Sequence, residues 1–307
     1  MGLASKILIG LTEMKPVALF SNIHMLPGLH VTLFTLLQSL KVSKQDEFVI
    51  HLFLDSVPSK EKELLKDTYS KFKEKAKLEI TDYSPKSPTG EDLYYGNETV
   101  YGRINLANLL SESERCVYLD CDLIVNMSIG KLFECFDDEH ILFVDGTEKR
   151  EHSLDKKLFM EAGLDLKGSC FNSGVMGINL SLWRKKNVDE TYRNTATKFR
   201  GMFKTADQAL LNTALHSSFK SLGSAYNTLL YASSPRVESI EERIYHLVES
   251  PKPWDFLGRF ASNHYNMWKH YYEQTAISKK WPLRYSSFKR TSSISMQLIR
   301  SLKSRIK

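Results

Sequence analysis

The stretch Cys116-Val117-Tyr118-Leu119-Asp120-Cys121-Asp122 is an apolar run that stops at two carboxylates one residue apart. In open α/β sheets the carboxyl ends of buried strands open into the ligand crevice, so such a run sets acids where a ligand binds. Side chains at i and i+2 of an extended chain leave on the same side, and both carboxylates can then reach one hard divalent cation. A cation so held would chelate the diphosphate of an activated substrate. Leu123-Ile124-Val125 is again apolar. The acids therefore interrupt a hydrophobic stretch, and buried they need a compensating charge. A solvated turn or a helix cap is the plainer account of an isolated acid pair, and the rest of the chain has to decide. Cys121, between the acids, is expected to face the opposite side of the strand and pack in the core.

The elements that must position these acids follow from hydrophobic periodicity. Val17 to Phe20 reads as a first buried strand, followed by the turn Ser21 to His24 and a helix from about Gly28 to Leu40. Phe48 to Leu54 is a second strand, Pro58-Ser59 opens a charged amphipathic helix to about Lys75, and Leu78 to Ile80 is a third strand. A Pro/Gly-rich loop, Ser84 to Gly96, leads to a helix from Tyr101 to Leu110 and then to the acid-bearing strand. Ile141 to Val144 and Gly174 to Asn179 are later strands, and helices cover Val188 to Phe199 and Ala206 to Leu215. Strands alternating with helices predict a largely parallel sheet with helical flanks. The final third loses the alternation, and its aromatics, Trp254 to Trp281, are expected to form a small satellite core rather than a base-stacking surface.

No apolar stretch approaches the roughly 20 residues that cross a bilayer. The start lacks a signal-peptide pattern, and Lys6 stands where myristoylation wants Ser or Thr. Four cysteines without C-x-x-C spacing argue against a zinc ribbon or a disulfide scaffold and for a reducing compartment, the cytoplasm. The net charge of +6 is unevenly placed. Residues 279–307 hold nine basic residues and no acid, leaving 33 basic against 36 acidic residues in 1–278.

Four further segments accompany the acid pair in a fixed order: Tyr101-Gly102-Arg103, Phe171-Asn172-Ser173-Gly174, Ala206-Asp207-Gln208, and His246 followed by Lys252-Pro253-Trp254. Over roughly Val17 to Trp254 this constellation resembles the retaining glycosyltransferases of family 8, most of all the bacterial lipopolysaccharide galactosyl- and glucosyltransferases. The resemblance implies a GT-A fold, with one Rossmann-like mixed sheet flanked by helices. It also implies Mn²⁺, with Mg²⁺ possible, held by Asp120, Asp122 and His246. Two hard oxygens and a borderline imidazole favour Mn²⁺ over Ca²⁺. Asn22, Arg103, Asp120, Cys121, Asn172, Gly174 and Lys252 become expected contacts of a UDP-hexose, and Asp145, Asp207 and Gln208 the expected catalytic residues. Two departures stand out. Met25 occupies the place of an aromatic stacking partner for uracil, and Glu249 replaces the glycine of the family's H-x-x-G-x-x-K-P-W pattern.

The implied reaction moves galactose or glucose to a lipid-linked saccharide, with no part for nucleic acid. In the tail, Leu298, Ile299, Leu302 and Ile306 fall near one helical face among Arg300, Lys303, Arg305 and Lys307. A basic amphipathic helix of this kind predicts docking on an anionic membrane surface, peripheral on the inner face of the cell membrane. The expected division is a catalytic domain over 1–278 and a membrane-association tail over 279–307. The competing expectations are a metal-dependent nucleotidyltransferase and a catalytically silent, membrane-associated nucleotide- or glycan-binding scaffold.

Overall fold

The computed structural model describes residues 13–41, 46–88, 98–280, 282–285 and 291. Its strands in chain order are β1 (Glu13–Asn22), β2 (Asp46–Asp55), β3 (Ala76–Asp82), β4 (Arg115–Leu119), β5 (Leu123–Val125) and β6 (Leu142–Val144). They continue with β7 (Glu148–Lys149), β8 (Ser169–Cys170), β9 (Val175–Asn179), β10 (Phe219–Ser221), β11 (Thr228–Leu230) and β12 (Ile244–Leu247). The main sheet has seven strands in the order β10-β6-β9-β4-β1-β2-β3. β1 runs parallel to β2 and β4, whereas β9 runs antiparallel to β4 and β6. The sheet is therefore mixed, as a GT-A fold requires. Chain order diverges on either side of β1 and β4, and the carboxyl ends of those two strands carry Asn22 and the acid pair.

Strand alternation splits the core into two layers. Val17, Leu19, Val117 and Leu119 face one cluster, and Ala18, Phe20, Cys116 and Tyr118 face the other. The first layer is covered by α1 (Leu26–Ser39) and α2 (Ser59–Tyr69), the second by α3 (Val188–Lys198) and α4 (Asp207–Ala214). α1 is buried nearly all round, which is why its sequence is apolar on every face. Its few polar side chains have definite partners. Thr32 Oγ1 donates to the Leu123 carbonyl at 3.0 Å and accepts from the Leu123 N–H at 2.9 Å, and Thr35 Oγ1 accepts from the Val125 N–H at 3.0 Å. These hydroxyls serve one edge of β5, while β12 pairs with the other edge.

Three expectations need correction. The segment read as a helix from Tyr101 is a run of 3₁₀ turns over Thr99–Asn105 followed by a short helix at Leu106–Leu109. The helix expected to reach Lys75 ends at Tyr69 and passes into a 3₁₀ turn at Ser70–Phe72. Among the described residues the late aromatics build no satellite core. Trp254, and Trp268, Tyr271 and Tyr272 on α5 (Tyr265–Tyr272), join the first main cluster, where Trp268 stacks on Tyr272 at 4.6 Å. The chain beyond α5 also returns to the body: Lys280 Nζ lies 2.8 Å from Glu61 Oε1, and the Tyr285 hydroxyl donates to Glu61 Oε2 at 2.9 Å. The amphipathic pattern at 298–306 lies outside the described residues.

Candidate active site

β4 stops at Leu119, and Asp120 to Asp122 form the link between β4 and β5 rather than an extension of the strand. Two backbone bonds fix this link. The Asp120 N–H donates to the Gly174 carbonyl at 2.7 Å, and the Leu247 N–H donates to the Asp122 carbonyl at 3.0 Å. The small sheet β11-β12-β5 completes the arrangement, because antiparallel pairing sets His246 opposite Leu123. An imidazole more than a hundred residues away in sequence thus arrives beside the acid pair.

His246 Nε2 lies 3.1 Å from Asp122 Oδ1 and 3.8 Å from Asp120 Oδ2. One ligand atom from each of the three residues falls within 4.8 Å of the others. Asp122 Oδ1 is buried and accepts no hydrogen bond among the described residues. An orphaned carboxylate oxygen facing a ring nitrogen is satisfied by a cation, and this donor set fits a divalent one. Gly174 leaves the necessary room. A Cβ there would collide with the His246 ring and sit 2.9 Å from Asp120 Oδ2.

Lys252, Arg103 and Gly174 reach this cluster directly, Asp207 joins it through Arg103, and Asn172 and Gln208 join it through Asn227, whereas the contacts of Asn22 and Asp145 are to other residues. Lys252 is buried, with Nζ 2.7 Å from Asp122 Oδ2 and a second bond to the Leu247 carbonyl. Burial would raise the Asp122 pKa, but Lys252 and His246 outweigh it and hold the carboxyl well below the usual range. Arg103 turns inward as an organiser. It lies 2.8 Å from Asp120 Oδ1 and 3.1 Å from Asp207 Oδ2, donates to the Ser173 carbonyl at 2.7 Å, and lies over the Tyr118 ring at 4.4 Å. Burial opposes its charge, yet Asp120 and Asp207 keep its pKa above the ordinary value. Asp207 opens α4 directly after Ala206, whose backbone takes φ 48° and ψ −118°, a left-handed conformation that non-glycine residues rarely adopt. Burial pushes the Asp207 carboxyl up to about 6 despite Arg103.

Asn172 joins its Nδ2 to Gln208 Oε1 at 3.0 Å, and the Ser173 N–H donates to the same oxygen at 3.3 Å. Asn22 caps the turn after β1, accepting from the His24 N–H at 3.0 Å and donating to Thr99 Oγ1 at 3.3 Å. Asp145 follows β6 and is half-buried, with a local bond from the Thr147 N–H at 3.1 Å. The Cys121 side chain packs in the core, and its carbonyl oxygen lies where a Cβ on Gly28 would fall. Met25 packs half-buried against the first cluster, and Glu249 is exposed.

Sequence reasoning did not single out three residues of the site: Tyr118, Ser173 and Asn227. The Tyr118 hydroxyl bonds Asp120 Oδ1, and Ser173 Oγ donates to Asp207 Oδ2 at 3.2 Å. Asn227 meets His246 Nδ1 at 3.0 Å. An asparagine just before a strand reads as an ordinary turn residue, so nothing local marks it.

The profile described as Glycosyl transferase family 8 matches residues 17–258. The chain is 25% identical over 261 residues to the lipopolysaccharide 1,2-glucosyltransferase of Escherichia coli, covering 78% of this chain and 76% of that protein. Among solved structures it is similar to the galactosyltransferase LgtC in complex with donor and acceptor sugar analogs. That match has a TM-score of 0.68 at 14% identity and covers 85% of this chain and 96% of LgtC. It is also similar to the bifunctional glycosyltransferase WbbM, with a TM-score of 0.69 at 13% identity, over 88% of this chain and 51% of WbbM. At these identities the two structures establish the GT-A fold alone, while the profile spans sheet, acid pair, His246 and the Lys252-Pro253-Trp254 segment together. The chain belongs to glycosyl transferase family 8.

Proposed function

We propose that this protein is a retaining hexosyltransferase that moves galactose or glucose from a UDP-sugar to a hydroxyl of a lipid-linked oligosaccharide or surface-glycan acceptor. The observation that carries the reading is the convergence of Asp120, Asp122 and His246 around one orphaned carboxylate oxygen, with Arg103, Asn172, Asp207 and Gln208 alongside. Mn²⁺, or else Mg²⁺, held by the first three residues would supply Lewis-acid charge to the departing diphosphate.

The chain's own groups do the rest. Lys252 adds a compact positive charge at the same end of the site. Asn172 and Asp207 orient the sugar, with Asp145 and Asn22 serving the sugar and nucleotide ends. Gln208 turns its carbonyl oxygen to Asn172 and Ser173, so its NH₂ end is the one available to substrate. An amide so held is a poor nucleophile, which favours front-face substitution. The acceptor oxygen bonds the anomeric carbon as the bond to the phosphate oxygen breaks, and that oxygen takes the acceptor's proton.

Membrane docking through the basic amphipathic tail would bring the enzyme to a lipid-linked acceptor on the inner face of the membrane. No helix among the described residues is long and apolar enough to cross one.

UDP release from a UDP-glucose and UDP-galactose panel, with Mn²⁺ or with EDTA, tests the reading. We expect release to fall on the order of 100-fold or more with chelator and in Asp122→Asn. Turnover indifferent to both changes, or no turnover with any donor, defeats the proposal.

A further inference from the structure

A chain of side-chain amides connects Gln208 to the imidazole of His246, and backbone groups fix the direction of every link. The Ser173 N–H can only donate, so the atom it meets at 3.3 Å is the Gln208 carbonyl oxygen. Asn172 must then present Nδ2 to that oxygen, at 3.0 Å. Its Oδ1 correspondingly accepts from the Gly174 N–H at 3.0 Å, which confirms the orientation. Asn227 donates Nδ2 to Asn172 Oδ1 at 3.0 Å and points the same group at the Asn172 carbonyl at 3.4 Å. Its own Oδ1 is left to face His246 Nδ1 at 3.0 Å, and an oxygen there demands Nδ1–H. His246 Nε2 is then the nitrogen left to serve as a ligand, and it is the one aimed at Asp122.

We propose that Asn227 is a positioning residue with two outputs: it holds His246 in the Nδ1–H tautomer that exposes Nε2 as a ligand, and through Asn172 it sets which end of Gln208 faces the sugar. Asn227 is 1% exposed and lies just before β11, whose pairing with β12 fixes its distance from the imidazole. Outer partners of this kind typically govern metal affinity by roughly 10–100-fold. This inference rests on the reading of Asp120, Asp122 and His246 as a cation site, and not on the identity of the sugar.

Two variants separate the outputs. Asn227→Ala removes both bonds. Asn227→Asp keeps an acceptor for His246 but loses the donor to Asn172. We expect ¹⁵N NMR of histidine-labelled protein to show Nδ1–H for His246 in wild type and Asn227→Asp, and mixed tautomers in Asn227→Ala. Mn²⁺ affinity, followed by EPR, should drop roughly 10–100-fold in Asn227→Ala. Asn227→Asp should bind Mn²⁺ within a few-fold of wild type, with kcat reduced and KM for the donor retained. A folded Asn227→Ala protein with wild-type tautomer and affinity overturns the proposal. If Asn227→Ala does not fold, an unchanged kcat in Asn227→Asp overturns the amide link. Wild-type protein that binds no Mn²⁺ removes the cation site and this inference with it. Wild type that binds Mn²⁺ yet transfers no sugar defeats only the proposed function, because the tautomer and affinity tests still apply.

Discussion

Glu249 has φ 62°, a left-handed backbone that glycine adopts without cost and other residues do not. The conformational cost therefore belongs to the residue type that this chain has at the position. The carboxylate itself is exposed, away from the buried acid–imidazole cluster. Replacing it should therefore act on stability first. Glu249→Gly is expected to raise stability by about 1 kcal/mol, read from urea unfolding, whereas Glu249→Ala retains the backbone cost and should change little. A rise of the same size in both variants would show that the charge, and not the backbone, is responsible. Residue types also set what could be read without coordinates. That Asp120, Asp122 and His246 come together was legible because few side-chain types can hold a cation and all three are of that kind. The inward pairing of Arg103 with Asp120 and Asp207 was not legible, because a sequence does not say which carboxylates share a guanidinium.

Elements position these residues through a contact that periodicity does not reveal. Thr32 and Thr35 lie on a helix apolar on every face, and their hydroxyls serve the free edge of β5, directly after the acid pair. Thr32→Val leaves the buried Leu123 N–H and carbonyl without this partner. We expect a loss of roughly 1–3 kcal/mol by denaturant unfolding and weakened Mn²⁺ binding. Unchanged values for both would mean that β12 alone secures the link. The α1–α2 contact carries a pH signature. His30 is fully buried, its Nδ1 lies 2.8 Å from Thr68 Oγ1, and burial, helped by the Lys280 charge, lowers its pKa from 6.5 to about 3. Between these values the unfolded chain binds a proton that the folded chain refuses, so stability falls as pH falls from 6.5 toward about 3. The contribution approaches about 1.4 kcal/mol per pH unit and should be absent in His30→Gln. Parallel pH profiles of unfolding free energy for the two proteins would refute it. The α/β alternation was readable because β1, β2 and β4 are buried on both faces and helices cover them. β12 was missed, since four residues joining a three-stranded sheet offer too short a pattern.

The whole molecule shows where a truncation should begin. Lys280 and Tyr285 neutralise and bond the buried Glu61 on α2, so a cut at 279 strips a buried carboxylate of both partners. Loss of one partner of a buried pair costs roughly 3–5 kcal/mol. Removing 279–307 should thus lower the unfolding midpoint, while removing 286–307 should preserve it and release the protein from anionic liposomes in a flotation assay. Liposome binding that survives the shorter deletion refutes the tail as an anchor. The late aromatics were misplaced by sequence reasoning for a related cause: composition shows that Trp254 and Trp268 need burial, but not that α1 and the main sheet provide it. The pairing of β5 with β12 also bears on biosynthesis. A ribosome delivers the two carboxylates long before it delivers the imidazole and the lysine. The nascent chain therefore cannot bring the carboxylates, the imidazole and the lysine together until β12 and the segment after it have emerged, so the cluster is completed late in synthesis.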